Sequence, residues 1–254
     1  MPIIVSDLAI APVKGLRLMR MDELEIGPTG PAGDRAFVVV DDQHALMQTS
    51  RTPTLLQVAQ RWDPGSGELA LRFADGSEVA AVPRPDQPIS TGLYDGRRVS
   101  GRLVPGPHSE ALSDHLDRRV WLVALDRTEV GADDFPVSLM STASLDALSQ
   151  ALDGDVPDAR RFRMSITVDG AGAWDENGWA GSEVDVGEVR VRIVEPVPRC
   201  VVTTRDPDEG RRDVPVLKAL AALHGKKDVT FGVWCEVSRP GRVRLGDPVV
   251  PPPH

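Results

Sequence analysis

The chain has 254 residues, 41% hydrophobic and 26% charged, with 29 Lys and Arg against 38 Asp and Glu for a formal charge of −9. That acidity argues against a general nucleic-acid binder, which must offer many basic contacts to phosphate, and the apolar share argues against a disordered or fibrous chain. The 23 Gly and 22 Pro are scattered without a period, which excludes an all-helical bundle and favours short strands joined by tight turns.

No apolar run reaches membrane-spanning length, and Met1-Pro2-Ile3-Ile4-Val5-Ser6-Asp7 has neither a basic n-region nor a long apolar h-region. A cytoplasmic protein without membrane association is expected. Alternating apolar residues predict strands over 3–10, 24–26, 37–40, 55–62, 69–73 and 78–82, separated by turns such as Gly27-Pro28-Thr29-Gly30 and Asp75-Gly76. Ala111, Leu112, His115 and Leu116 have helical spacing, and 121–125 returns to strand. Pro105-Gly106-Pro107 marks the expected boundary, giving units 1–107 and 108–254. In the second unit, Ser141 or Thr142 is placed to cap a helix to Leu152, and Asp213 to cap one over 214–223 closed by Gly225. Strands are expected over 166–168, 184–186, 189–194, 201–204, 230–237 and 243–245. The fold class is mostly β with a few helices, an α+β arrangement.

The two cysteines, Cys200 and Cys235, fit no zinc or CxxC spacing. Cys235 alternates with Phe231, Val233 and Val237 and reads as core. Cys200 follows Pro196-Val197-Pro198-Arg199, at the mouth of an expected strand. Arg199 beside it would favour the thiolate, the form that binds metals and attacks electrophiles; an inert, half-buried cysteine is the competing reading. Lys14, Arg35, Arg51, Arg161 and Arg163 occupy turns or strand ends, where they can converge on one anion or each pair with a surface carboxylate. Ser138, Ser141, Thr142 and Ser144 bracket a helix N-terminus that can receive phosphate or simply be capped. The five histidines form no metal motif, and no Walker, GxGxxG or GxSxG sequence occurs. Asp206-Pro207-Asp208-Glu209-Gly210 reads as a solvated turn.

In order and spacing, several segments resemble the MOSC family, the domain found at the C-terminus of molybdenum-cofactor sulfurases. They are Pro12-Val13-Lys14-Gly15, Gly33-Asp34-Arg35, Arg161-Phe162-Arg163, Val168-Asp169-Gly170, Pro198-Arg199-Cys200-Val201-Val202-Thr203-Thr204, Phe231-Gly232-Val233 and Gly246-Asp247-Pro248. The resemblance implies a MOSC N-terminal β-barrel-like domain over 1–107 and a MOSC β-barrel domain over 108–254. Within the family, the architecture is similar to amidoxime-reducing components and their bacterial relatives, which bind a molybdopterin-type molybdenum cofactor and reduce small N-hydroxylated substrates. It implies Cys200 as molybdenum ligand and catalytic residue. It also implies a cofactor groove involving Lys14, Gly15, Arg35, Arg51, Ser141, Thr142, Arg161, Arg163, Arg199 and Thr203.

Family members commonly continue the Arg-Phe-Arg run with Pro-Asn, where this chain has Met164-Ser165. No cysteine-rich ferredoxin-like segment follows the MOSC-like region, so a separate electron-transfer protein is the expected donor. No pyridoxal-phosphate desulfurase region precedes it, so sulfur mobilisation from free cysteine is not expected. Two functions follow from the resemblance: a molybdenum-dependent N-reductive oxidoreductase, and a sulfurtransferase-type carrier that uses the Cys200 thiol to hold cofactor or persulfide.

Overall fold

The computed structural model describes residues 2–93, 96–126, 129, 131–154, 157–227 and 229–252. Alternation of apolar and polar residues sets most of its strands. The first half contains β1 (Ile3–Ile10), β2 (Met19–Met21), β3 (Glu23–Gly27), β4 (Gly30–Pro31), β5 (Phe37–Asp41), β6 (Ala59–Asp63), β7 (Glu68–Arg72), β8 (Glu78–Ala81), β9 (Pro88–Gly92) and β10 (Arg98–Val104). There follow α1 (Pro107–Leu116), β11 (Val120–Leu125), β12 (Val137–Ser141), α2 (Thr142–Gln150), β13 (Ile166–Asp169), α3 (Asp175–Gly178), β14 (Glu183–Val186) and β15 (Val189–Pro198). The chain ends with α4 (Val216–His224), β16 (Thr230–Arg239), β17 (Gly241–Arg244) and β18 (Pro248–Val250). The mostly β character expected from composition is what is found.

Seven strands close a barrel in the order β13-β12-β16-β15-β14-β18-β1, and β1 pairs back onto β13 with Leu8 opposite Ile166 and Ile4 opposite Asp169. The strand from the start of the chain thus removes both edges that the second half would otherwise leave open. Among the described strands of the barrel, only β12 and β13 run parallel, and α2 lies in their crossover. The barrel interior is filled by Val5, Leu8, Leu139, Ile166, Val184, Val191, Ile193, Val233 and Cys235, all at 1% exposure or less. Each such aliphatic contributes roughly 1.5–3 kcal/mol of burial.

The two halves interleave. Strand β11 joins the first-half sheet β5-β11-β10-β9, α1 packs against the same core, and β17 pairs with β3. A second core of Val13, Leu16, Phe37, Leu55, Leu69, Leu112 and Leu122 lies under α1. A third packs α2 and α4 through Leu148, Val216 and Leu220 against Phe162, Val197 and Phe231, behind the segment that carries Cys200.

Three local expectations are corrected. Residues 201–204 form a 3-10 turn instead of a strand, because the Thr203 and Thr204 hydroxyls fold back onto the carbonyls three residues earlier. Pro53 opens a 3-10 turn over Pro53–Gln57, so the strand expected over 55–62 begins only at Ala59. The helix expected from Asp213 starts at Val216, since the Asp213 carboxylate is drawn onto Arg161 and does not cap it. Among the described residues, no helix is long and apolar enough to cross a membrane.

Candidate functional site

Cys200 sits where β15 loses its ladder. Pro196 and Pro198 lack N–H donors, and the register with β16 shifts at both. The chain then turns, with Cys200 exposed at the N-terminal boundary of the 3-10 turn Val201–Thr204. Its carbonyl accepts from the Thr203 amide at 3.2 Å and the Thr203 hydroxyl at 3.0 Å, so the backbone is fixed while the thiol faces outward. Cys235 is the opposite case: it is buried in the barrel, and desolvation holds its thiol well above the usual range.

Arg199 turns inward. Its guanidinium donates to the Phe231 carbonyl at 2.9 Å, the Phe162 carbonyl at 2.9 Å and the Met164 Sδ at 2.8 Å, and lies over the Phe162 ring. Burial pulls its pKa down to about 9, with the neighbouring Cys200 opposing the shift. The partners of Arg199 flank Arg163 on both sides, which ties the cysteine segment to the 162–164 turn.

That turn leads to a cation cluster. Arg163 adopts the left-handed backbone conformation, φ 55°, that ends the 3-10 turn Ala159–Phe162. Its carbonyl accepts from Arg35 at 3.4 Å, and Arg35 in turn pairs with Asp34, whose other oxygen accepts from the Ala11 amide. Lys14 donates to Asp133 at 2.7 Å and to the Gly131 carbonyl at 2.9 Å. Burial first, then the charges of Arg35 and Arg163, lower the Lys14 pKa against the pull of Asp133. Burial also draws Arg163 down to about 10, with Arg35 adding to the effect. Burial pushes Asp133 upward, but Lys14 outweighs it and holds the carboxyl below its ordinary value. Gly15 is needed beside Lys14: its φ is +91°, and a Cβ there would lie 2.9 Å from the Thr49 hydroxyl. Three of the basic residues singled out in the sequence, Lys14, Arg35 and Arg163, therefore meet electrostatically.

The remaining residues lie elsewhere. Arg161 is buried in a two-pronged pair with Asp213, 2.7 Å on each side. Arg51 is exposed on the loop whose Ser50 carbonyl accepts from Arg205. Ser141 caps α2 and, with Ser144, donates to the fully buried Glu176 at 3.0 Å. Thr142 donates to Asp169 at 2.7 Å. Ser165 is buried and its amide donates to the Ser138 hydroxyl, so this position serves the interior.

Asp208 corrects the reading of 206–210 as a solvated turn, because it pairs with Arg17 at 3.0 Å and Arg160 at 2.8 Å and docks the loop across both halves. Asp133 was not singled out from sequence: 119 residues separate it from Lys14, and no spacing rule links such positions. The described residues hold no group of three or more His, Cys, Asp or Glu able to bind a metal.

Comparison with known proteins matches two family models, the MOSC N-terminal beta barrel domain over residues 3–102 and the MOSC domain over residues 126–250. Mitochondrial amidoxime reducing component 2 of Rattus norvegicus is 34% identical, with 96% of this chain and 82% of the relative covered. Mitochondrial amidoxime-reducing component 1 of Homo sapiens is 32% identical over the same shares. The molybdenum cofactor sulfurase of Caenorhabditis briggsae is 25% identical, covering 92% of this chain but 33% of its own length. The two matched models, together with relatives above 30% identity matched over 96% of the chain, lead to one conclusion: the chain belongs to the MOSC family.

Proposed function

We propose that the protein holds a molybdopterin-type molybdenum cofactor between the Lys14, Arg35 and Arg163 cluster and Cys200, and reduces small N-hydroxylated compounds with electrons from a separate electron-transfer protein. The observation that carries this reading is one exposed thiol joined, through Arg199 and the 162–164 turn, to three clustered cations. Such a donor set fits a metal delivered on an anionic organic cofactor. One thiolate is a soft ligand too few to build a metal site alone, and the cations suit phosphate. The names of the rat and human relatives support the substrate class, since amidoximes are N-hydroxylated.

When bound, the cofactor supplies a two-electron redox centre, and the balanced reaction converts N–OH to N–H and water with two electrons and two protons. The chain's own part is binding and positioning. Cys200 Sγ would hold the metal, and the exposure of this thiol would leave a substrate access to the site. Thr203 and Arg199 fix the backbone on which the sulfur sits. Lys14, Arg35 and Arg163 bind the anionic groups, with Gly15 shaping the Lys14 turn. Arg161, Ser141 and Thr142 act in this reading as supports through Asp213, Glu176 and Asp169. Arg51 would reach the ligand only from its exposed loop.

The exposed thiol and the sulfurase relative favour a second reading, a carrier that holds cofactor or persulfide on Cys200 for delivery. The test loads the protein in a molybdenum-replete host and supplies an amidoxime with a chemically reduced viologen. Many equivalents of amidine per protein are expected. Stoichiometric pterin without turnover, or a Cys200 persulfide, would replace the reductase reading with the carrier. Lys14→Met and Arg163→Met should each weaken pterin retention about tenfold or more, the equivalent of one charge-assisted hydrogen bond. Their combination should deviate from simple addition because both would contact one ligand. Unchanged retention in both would remove the groove assignment.

A further inference from the structure

Between Val214 and Lys227 the chain carries Lys218, Lys226 and Lys227 and no Asp or Glu, so three of its four lysines fall in one short stretch of a protein with net charge −9. All three are exposed, as is Arg212 just before them, and none of the four pairs with a carboxylate among the described residues. Asp228, which follows, lies outside the described residues. Both ends of this stretch are tied by main-chain hydrogen bonds to the segment that carries the exposed thiol. The Asp213 amide donates to the Thr204 carbonyl at 3.2 Å, and the amide of Arg199, next to Cys200, donates to the Val229 carbonyl at 2.8 Å. Between these ties α4 packs on the 3-10 turn Val201–Thr204. Arg212 is therefore one residue from one tie and Lys227 two residues from the other, with about 3.8 Å between successive Cα atoms. Lys218 and Ala222 share the exposed side of α4, and Leu223 beside them is 42% exposed. Four unpaired cations and one apolar side chain thus form a rim beside Cys200.

We infer that this rim of Arg212, Lys218, Lys226 and Lys227 around Leu223 is the docking surface for the electron donor, and that the donor is a small acidic one-electron carrier protein. The inference rests on the reductase reading, which needs electrons from outside the chain. An electron carrier must approach the cofactor, hence dock on the Cys200 face, and the charge of that face favours an acidic partner. The negative charge of the chain as a whole would repel such a partner elsewhere, so the rim orients it as well as attracts it. Electron-transfer encounters bury little surface, which suits exposed lysines around a single leucine. A bilayer would call for a broader apolar face than Leu223 supplies. Two reduced carriers each lose one electron to the bound cofactor, and solvent supplies the two protons that complete the conversion of N–OH to N–H and water.

The probe is a plant-type [2Fe–2S] ferredoxin of net negative charge, offered to the molybdenum-loaded protein in place of the viologen. Wild type is compared with Lys226→Glu/Lys227→Glu and with Arg72→Glu/Arg102→Glu, which makes the same change of charge at exposed positions of the sheets β6-β7-β8 and β5-β11-β10-β9. At low ionic strength and limiting ferredoxin, the rate should fall about tenfold or more in Lys226→Glu/Lys227→Glu and little in the control. The difference should shrink as salt screens the rim, and viologen turnover should be the same in all three. Ferredoxin binding to cofactor-free protein, read by calorimetry at low salt, should follow the same order. Equal binding and equal ferredoxin-driven rates in wild type and Lys226→Glu/Lys227→Glu would overturn the inference, and so would an equal fall in the control. A wild type that turns over with viologen but neither binds ferredoxin nor accepts its electrons would overturn it too. Binding to phosphatidylserine vesicles, abolished in Lys226→Glu/Lys227→Glu and unaccompanied by ferredoxin binding, would assign the rim to a lipid surface instead. Absence of viologen turnover in the wild type would count against the reductase reading itself, while the binding arm, run without cofactor, still reads the rim.

Discussion

Arg161 and Cys200 show how far a residue's type differs from its task. Arg161 carries the charge expected of an anion-binding residue, yet its two terminal nitrogens are taken by Asp213. The hydrogen bonds from Arg161 are the main cause that holds the Asp213 carboxyl below its ordinary value, and those from Arg160 do the same for Asp208. A carboxyl depressed in the folded state stabilises fully above its unfolded pKa and ceases to do so as pH falls through the lower folded value. Acid unfolding below about pH 4 should therefore be less steep in Asp213→Asn than in the wild type. Asp213→Ala should lose about 3–5 kcal/mol at neutral pH, because it leaves Arg161 buried without its partner. Urea unfolding at pH 7 and pH 3 checks both, and equal pH slopes for wild type and Asp213→Asn would remove the pair from the account.

The loop Asp206–Gly210 is the element on which the two halves meet beside the 3-10 turn of Cys200. Asp206 accepts from the amides of Asp208 and Glu209 to form the turn, Asp208 bridges Arg17 and Arg160, and Gln57 donates to the Glu209 carbonyl. Gly210 has φ +75°, and a Cβ there would run into the Pro53 carbonyl oxygen. Gly210→Ala should therefore lose about 1–3 kcal/mol, measured by thermal unfolding. Alanine at the exposed Gly76, where an added Cβ would meet no heavy atom within 4 Å, should lose less. An equal loss at both would show that the contact with Pro53 is not what matters. Strands and helices were legible in sequence wherever apolar runs were bounded by turn residues or fell at helical spacing, as in β1, β7 and α1. The 201–204 segment was not, because its β-branched residues favour strands while its two threonine hydroxyls stabilise a turn. At the site, the basic residues were legible by position, but their sorting was not: Asp133 for Lys14 and Asp213 for Arg161 lie 119 and 52 residues away.

For the whole molecule, the barrel is closed by its most distant strand: β1 fills the gap between β13 and β18. A chain beginning at residue 108 should lack a cooperative thermal transition, because it exposes both edges and the apolar face that Val5, Leu8 and Ile10 cover. Supplying residues 1–11 as a separate peptide should restore the transition in part, and a cooperative melt without the peptide would contradict this account of closure. The same architecture separates the two thiols, sealing Cys235 inside the barrel and leaving Cys200 outside at the end of β15. The most direct measurement of the proposed function is the molybdenum content per chain of wild type, Cys200→Ser and Cys235→Ser, each produced in a molybdenum-replete host and shown to be folded. The account predicts metal in the wild type and Cys235→Ser and none above background in Cys200→Ser. Equal content in wild type and Cys200→Ser, or loss confined to Cys235→Ser, would contradict it.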